Sequence, residues 1–178
     1  MDVSGKKVAI VVHNYFEQAE FEQPLEALKD AGAEVSVVSA SGEKELQGLH
    51  HVDKGDTFQA NALLDDVSAE DYDALVLPGG AVNADALRMV DRAREWVKHF
   101  MVTGKPLAVI CHAPWVLASS DVIGGKRLTS FFTIQDDMRN AGAMWSDEEV
   151  VQDGNLITSR KPDDLPAFCA ALIRVLQH

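Results

Sequence analysis

Runs of four or five consecutive apolar residues recur along this chain, and most are followed by a stretch with helical spacing. Val8-Ala9-Ile10-Val11-Val12 is such a run, rich in β-branched residues, and predicts a strand buried on both faces. Phe21, Leu25, Leu28 and Ala31 then recur at helical spacing up to Gly32, predicting a helix that stops there. A second strand is expected over 34–40, around Val35, Val37 and Val38. The polar stretch 41–57, punctuated by Gly42, Gly48 and Gly55, reads as a hairpin excursion, and Leu63, Leu64 and Val67 as a short helix. Ala74-Leu75-Val76-Leu77 is another buried strand, halted by Pro78-Gly79-Gly80. One helix is predicted over 85–103, with Leu87, Val90, Ala93, Val97 and Met101 on one side.

Leu107-Ala108-Val109-Ile110 is the next buried strand, and small and apolar residues through Ala118 suit a short buried helix behind it. A short strand over 128–130 and a short helix over 134–140 follow. Asp153-Gly154-Asn155 makes a hairpin turn between Val150-Val151 and Leu156-Ile157-Thr158. Leu165, Phe168, Cys169, Leu172, Ile173 and Leu176 mark a final helix, with Pro166 tolerated in its first turn. Neither repeat nor linker interrupts the pattern, so residues 1–178 read as one domain. Alternation of strand and helix predicts an α/β fold: a mostly parallel sheet with helices on both faces and a site at the carboxyl ends of its strands. Three of those ends carry His13-Asn14, Pro78-Gly79-Gly80 and Cys111-His112, so polar, glycine-rich and nucleophilic residues are expected to meet at one edge.

The 178 residues, 47% of them hydrophobic, suffice for one sizeable core. A net charge of −12 argues against nucleic acid or an anionic membrane as a partner held by general attraction. Two cysteines, Cys111 and Cys169, make no disulfide framework and fit a reducing compartment. The first apolar run is too short for a membrane span and no cleavage pattern accompanies it, so a cytoplasmic protein is expected.

Cys111 falls where strand turns into helix, the placement that presents a nucleophile above a sheet, and a helix start favours thiolate over thiol. A buried core cysteine is the alternative, and the adjoining His112 and the Gly-Gly of the preceding strand weigh against it. The backbone N–H groups of His112 and Gly80 are candidate oxyanion donors. Glu20, one turn before Pro24, could hydrogen-bond the Cys111 sulfur; a solvated helix carboxylate is the alternative reading. Glu17 reads as exposed or as complementing the helix start. His112 could orient or deprotonate, although adjacent side chains on a turn tend to point apart. Its nearest candidate acid is Asp85, for which a charge near the start of the following helix is the competing role. The six histidines show no metal-ligand spacing, His50-His51 reads as a solvated or packing feature, and no phosphate loop follows Gly79-Gly80. No metal or cofactor is therefore expected. Cys169 lies on the apolar stripe of the last helix and reads as core, while Trp115 is close enough to Cys111 to line a pocket.

Leu77-Pro78-Gly79-Gly80, the run from Ala108 to Trp115, Asp136-Asp137-Met138-Arg139-Asn140-Ala141-Gly142-Ala143, Val150-Val151-Gln152-Asp153-Gly154-Asn155 and the run from Thr158 to Leu165 together resemble the PfpI family of the class I glutamine amidotransferase-like superfamily. The resemblance runs nearly end to end. It implies a flavodoxin-like three-layer sandwich, a reactive elbow cysteine, and a homodimer or larger homo-oligomer. It also implies that Cys111 is the nucleophile, His112 its adjacent histidine, Glu20 the glutamate bonded to the sulfur, and Gly80 and His112 the oxyanion donors. Members with protease-like triads take an acid after the Gly-Gly from the neighbouring subunit; Asp85 is the candidate here, shorter than the usual glutamate. Ala113 stands where glycine is common after Cys-His. Activities implied by the resemblance are intracellular proteolysis, glyoxalase or deglycase chemistry, and chaperone, redox or stress roles. Since a small-aldehyde reaction needs only Cys111, Glu20 and oxyanion donors, the expected substrates are reactive carbonyls or carbonyl-modified protein side chains.

Overall fold

The computed structural model describes residues 2–178. In chain order, β1 (Lys7–Val12), β2 (Phe16–Glu17), α1 (Gln18–Asp30), β3 (Glu34–Ser39), β4 (Glu45–His50), β5 (Asp53–Gln59) and β6 (Ala62–Leu63) make up the first part. Then come β7 (Ala74–Leu77), α2 (Ala81–Leu87), α3 (Asp91–Thr103), β8 (Leu107–Ile110) and α4 (Pro114–Ser119). The last part is β9 (Arg127–Leu128), α5 (Gln135–Asn140), β10 (Met144–Trp145), β11 (Val150–Asp153), β12 (Leu156–Ser159) and α6 (Leu165–Leu176).

The central sheet runs β11-β12-β8-β7-β1-β3-β6, parallel except for β11. Val8 to Val12 are all buried because helices cover both faces of β1. Val8, Ile10 and Val12 pack with Phe21 and Leu28 of α1 and Phe168 and Leu172 of α6. Ala9 and Val11 face Val97 and Phe100 of α3 and Leu117 of α4 on the other side. This is the flavodoxin-like three-layer sandwich. The chain leaves β1 toward β3 on one side and resumes at β7 on the other. The switch point therefore lies between β1 and β7, where such folds open a crevice at the strands' carboxyl ends. The 41–57 excursion is the β4–β5 hairpin; it lies outside the main sheet and pairs with β2.

Three expectations need correction. The helix read over 85–103 is two helices, α2 and α3, broken at an extended Val90. Leu87, Val90, Ala93 and Val97 keep a helical spacing across the break, and no glycine or proline marks it, so periodicity alone reads straight through. Because α2 starts at Ala81, Asp85 lies in its second turn rather than at a helix start. The short helix expected around Leu63 is the edge strand β6 followed by one 3-10 turn over Leu64–Asp66. The strand at 128–130 is β9, paired with β10 apart from the main sheet. Among the described residues no helix is long and apolar enough to cross a membrane.

Candidate active site

The strands β1, β7 and β8 end side by side, and the residues just past each end build the site. Cys111 follows β8 in the left-handed region, φ 64°, a backbone state that a non-glycine residue holds only when its surroundings impose it. Here they do: the Cys111 N–H donates to the Ser159 carbonyl at 3.1 Å, and its own carbonyl accepts from Phe131 N–H at 2.8 Å. The turn folds His112 back over the sulfur, with Sγ and Nδ1 3.2 Å apart. The expectation that these neighbours point apart is thus overturned, for a left-handed Cys111 rotates the following side chain toward its own. Phe131 stacks on the imidazole at 4.7 Å and Trp115 meets it edge-on at 5.3 Å. Trp115 is itself held by its Nε1–H, which donates to Asp137 at 2.8 Å. Burial pushes the His112 pKa down, so the ring is neutral at neutral pH.

Glu20 is fully buried in the first turn of α1. Its Oε2 accepts the Gly79 N–H at 2.9 Å, and the Cys111 thiol is close enough to influence its ionisation. Oε1 has no hydrogen-bond partner among the described residues. Burial first, then the Glu17 charge, pushes the Glu20 pKa up to about 8, against the pull of Cys111 and of the Gly79 N–H. Glu20 is therefore mostly protonated at neutral pH and has a proton to offer the sulfur. Cys111 departs from the expectation of a lowered pKa. Its burial, and next the Glu20 charge, push the thiol up, while the N–H groups of Gly80 and His112 pull it down. The helix behind it begins only at Pro114 and is six residues long, so it adds little dipole. With Glu20 protonated, the opposing charge is gone while the Gly80 and His112 N–H groups still favour thiolate.

The Gly-Gly pair makes this convergence possible. A Cβ on Gly79 would stand 2.6 Å from Cys111 Cβ and 2.8 Å from the Ile110 carbonyl oxygen, besides striking Glu20. Gly80 has φ 93°, and a Cβ there would meet Glu17 N at 2.6 Å. The buried Asn83 ties the ends together: it accepts the His13 N–H at 2.7 Å and donates to the Pro78 and Gly79 carbonyls at 3.0 Å. Neither Asn83 nor Phe131 was legible beforehand, since one is a lone polar residue on a helix and the other lies twenty positions from Cys111.

Above the sulfur is a pocket of ≈ 290 Å³ that also takes in Tyr15, Glu17, His51 and Phe131. Glu17 occupies the N-cap position of α1 but makes no side-chain cap. Instead its side chain, 12% exposed, turns into the pocket, where Oε2 accepts the His51 N–H at 3.1 Å. His51, read from sequence as a solvated or packing feature, is at the tip of the β4–β5 hairpin and lines this pocket. Of the candidate residues, Cys111, His112, Glu20 and Gly80 come together. Asp85 does not join them within the chain: it is exposed on α2 and does not line the pocket. Cys169 is buried in the core, as expected. Among the described residues no group of three His, Cys, Asp or Glu side chains is arranged to hold a metal.

The model of the DJ-1/PfpI family matches residues 6–175. The chain belongs to the DJ-1/PfpI family. Its DJ-1/PfpI relatives include protein/nucleic acid deglycase 2 of Escherichia coli K12, 40% identical over 174 residues that cover 97% of this chain and 98% of that one. General stress protein 18 of Bacillus subtilis is 40% identical over 175 residues, covering 97% and 99%. A crystal structure of a two-domain Anabaena variabilis protein, with DJ-1/ThiJ/PfpI-like and ferritin-like domains, superposes with a TM-score of 0.89 at 39% identity. That match covers 97% of this chain and 48% of the Anabaena one. The PfpI resemblance read from the motifs is thus the family to which the whole strand-end edge around Cys111 belongs.

Proposed function

We propose that this chain is a cysteine-dependent stress-response enzyme acting on reactive glyoxals or glyoxal adducts, with Cys111 as nucleophile and no cofactor or metal. The deglycase and stress-protein names of relatives about 40% identical support the class. The observation that carries the reading is the placement of Cys111: left-handed, 3.2 Å from a neutral imidazole, and faced by two amide donors and a protonated carboxyl. In this reading the thiol gives its proton to His112 as sulfur bonds to the aldehyde carbon. The carbonyl π pair moves onto oxygen, which the N–H groups of Gly80 and His112 stabilise. Glu20 holds the sulfur and supplies a proton. A proton shift from the former aldehyde carbon to the adjacent carbonyl carbon leaves a thioester, and water hydrolyses it. The sum for methylglyoxal is one water added to give lactate, with the two carbons exchanging oxidation levels and no external oxidant.

Intracellular proteolysis is the second reading. It needs an acid to orient His112, and in this chain the ring is held by Phe131 and Trp115 rather than by a carboxylate. Asp85 would serve only from a neighbouring subunit of a homo-oligomer, where exposed Val82 beside it offers a packing surface. A fully active monomer at micromolar concentration would remove that role.

The test compares wild type with Cys111→Ser in three assays. The expected result is methylglyoxal consumption without added metal or cofactor, lost at least 10³-fold in the variant. A redox sensor would show a stable peroxide mass shift on Cys111 and no turnover. A chaperone-like protein would suppress client aggregation equally well in both forms.

A further inference from the structure

Within the pocket that leads to Cys111, one side chain carries the standing charge. Glu20 is neutral at neutral pH and His112 likewise, for the reasons above. Among the described residues, no lysine or arginine lines the pocket. Glu17 remains, a carboxylate only 12% exposed, with Oε2 fixed by the His51 N–H at 3.1 Å. His51 also lines the pocket, but its side chain is 83% exposed, with Nδ1 3.9 Å from the same oxygen. Tyr15 and Phe131 add aromatic side chains to the same cavity. A sheltered carboxylate in a pocket without a fixed cation attracts an organic cation and repels a carboxylate, because its charge favours positive charge.

We propose that Glu17 makes Cys111 charge-selective: the pocket admits electrophiles that carry an ammonium- or guanidinium-type cation ahead of carboxylate-bearing ones of the same size. Resting on the glyoxal reading above, this ranks glyoxal adducts of basic protein side chains over small carbonyls that bear a carboxylate. Glu17 is then a specificity residue. It takes no part in bond making, and its charge acts on whatever approaches the sulfur.

The test uses matched methanethiosulfonates: cationic trimethylammonioethyl, neutral methyl and anionic sulfonatoethyl. Each transfers its alkylthio group to Cys111 Sγ and releases methanesulfinate, and peptide mapping separates Cys111 from Cys169. The measured quantity is the cation-to-anion rate ratio within each variant. Taking the ratio cancels changes in thiol reactivity, which Glu17→Gln also causes by relieving the charge on Glu20, and the neutral rate reports that change separately. The net charge of −12 acts almost equally on all variants, so the change between them isolates Glu17. A unit charge a few ångströms away near a protein surface predicts a ratio lower by roughly tenfold or more in Glu17→Gln. Glu17→Asp is expected to keep most of the wild-type ratio, and added salt to shrink it. An unchanged ratio in Glu17→Gln overturns the proposal, and so does a wild-type ratio at or below one, which needs no variant to fold. These rates need no glyoxal turnover. A protein that fails to consume methylglyoxal would therefore count against the proposed function while leaving this result standing.

Discussion

Glu20→Gln should be more stable than wild type at pH 8, by a margin that closes as the pH falls toward 4.5. In the folded chain the Glu20 pKa is pushed from 4.5 up to about 8, mainly because the carboxyl is fully buried. Between those values the folded protein holds a proton that the unfolded chain has released. Stability contributed by this group is therefore complete below pH 4.5, falls as the pH rises, and levels off above about pH 8. At about 1.4 kcal/mol for each tenfold, the loss is on the order of 4–5 kcal/mol across that window. Glutamine has the same shape, keeps an oxygen for the Gly79 N–H and an N–H for the sulfur, and does not titrate. Urea unfolding from pH 5 to pH 8.5 reads the difference. Parallel pH profiles for the two proteins would mean that Glu20 is ionised in the native state, and the proposed proton on it would go with that result. Thiol alkylation at pH 7 gives a companion readout: Glu20→Gln should largely keep the wild-type rate, and Glu20→Ala should lose on the order of tenfold to a hundredfold.

The second large effect concerns Gly79. Alanine there would set its Cβ 2.6 Å from Cys111 Cβ and 2.8 Å from the Ile110 carbonyl oxygen. Neither can retreat, since Ile110 is fully buried in β8 and Cys111 is pinned through both its N–H and its carbonyl. Overpacking of this kind costs about 1–3 kcal/mol, and relief by shifting Cys111 would pull the sulfur away from the N–H groups that favour its thiolate. Gly79→Ala is thus expected to lower the melting temperature markedly and to cut Cys111 alkylation at least a hundredfold. Gly124→Ala is the control. Nothing lies within 4 Å of a Cβ there and the backbone is not left-handed, so it should be neutral or slightly stabilising. Equal effects from the two substitutions would contradict the close-packed reading of the Gly-Gly turn.

What could be read from the chain follows from how each signal is encoded. β1, β7 and β8 are buried on both faces and so appear as unbroken apolar runs; Gly80 and Cys111 just past β7 and β8 line the pocket, whereas His13 and Asn14 past β1 do not. That made the sheet, its carboxyl edge and the meeting of Gly80 with Cys111 legible. The orientation of His112 was not, because it depends on the sign of φ at Cys111, which neither composition nor spacing encodes. Phe131 and His51 reach the pocket from a loop and a hairpin tip, and only tertiary contacts bring them there. Glu17 looked like a helix-start acid because position and charge fit that role; the β2–β4 pairing turns it to the pocket instead. The break between α2 and α3 carries no glycine or proline and keeps the apolar period, so it left no mark.

The central claim is that a glyoxal carbon bonds to the sulfur of Cys111 during turnover, and trapping that bond tests it most directly. Wild-type protein is mixed with methylglyoxal, quenched in acid within the first turnovers, digested with pepsin at low pH, where a thioester survives, and mapped by mass. A three-carbon thioester adduct is expected on the peptide carrying Cys111, absent from the Cys169 peptide and from Cys111→Ser, together with loss of turnover in that variant. Turnover in Cys111→Ser within tenfold of wild type, or an adduct confined to lysine and arginine side chains while wild type turns over, would contradict it.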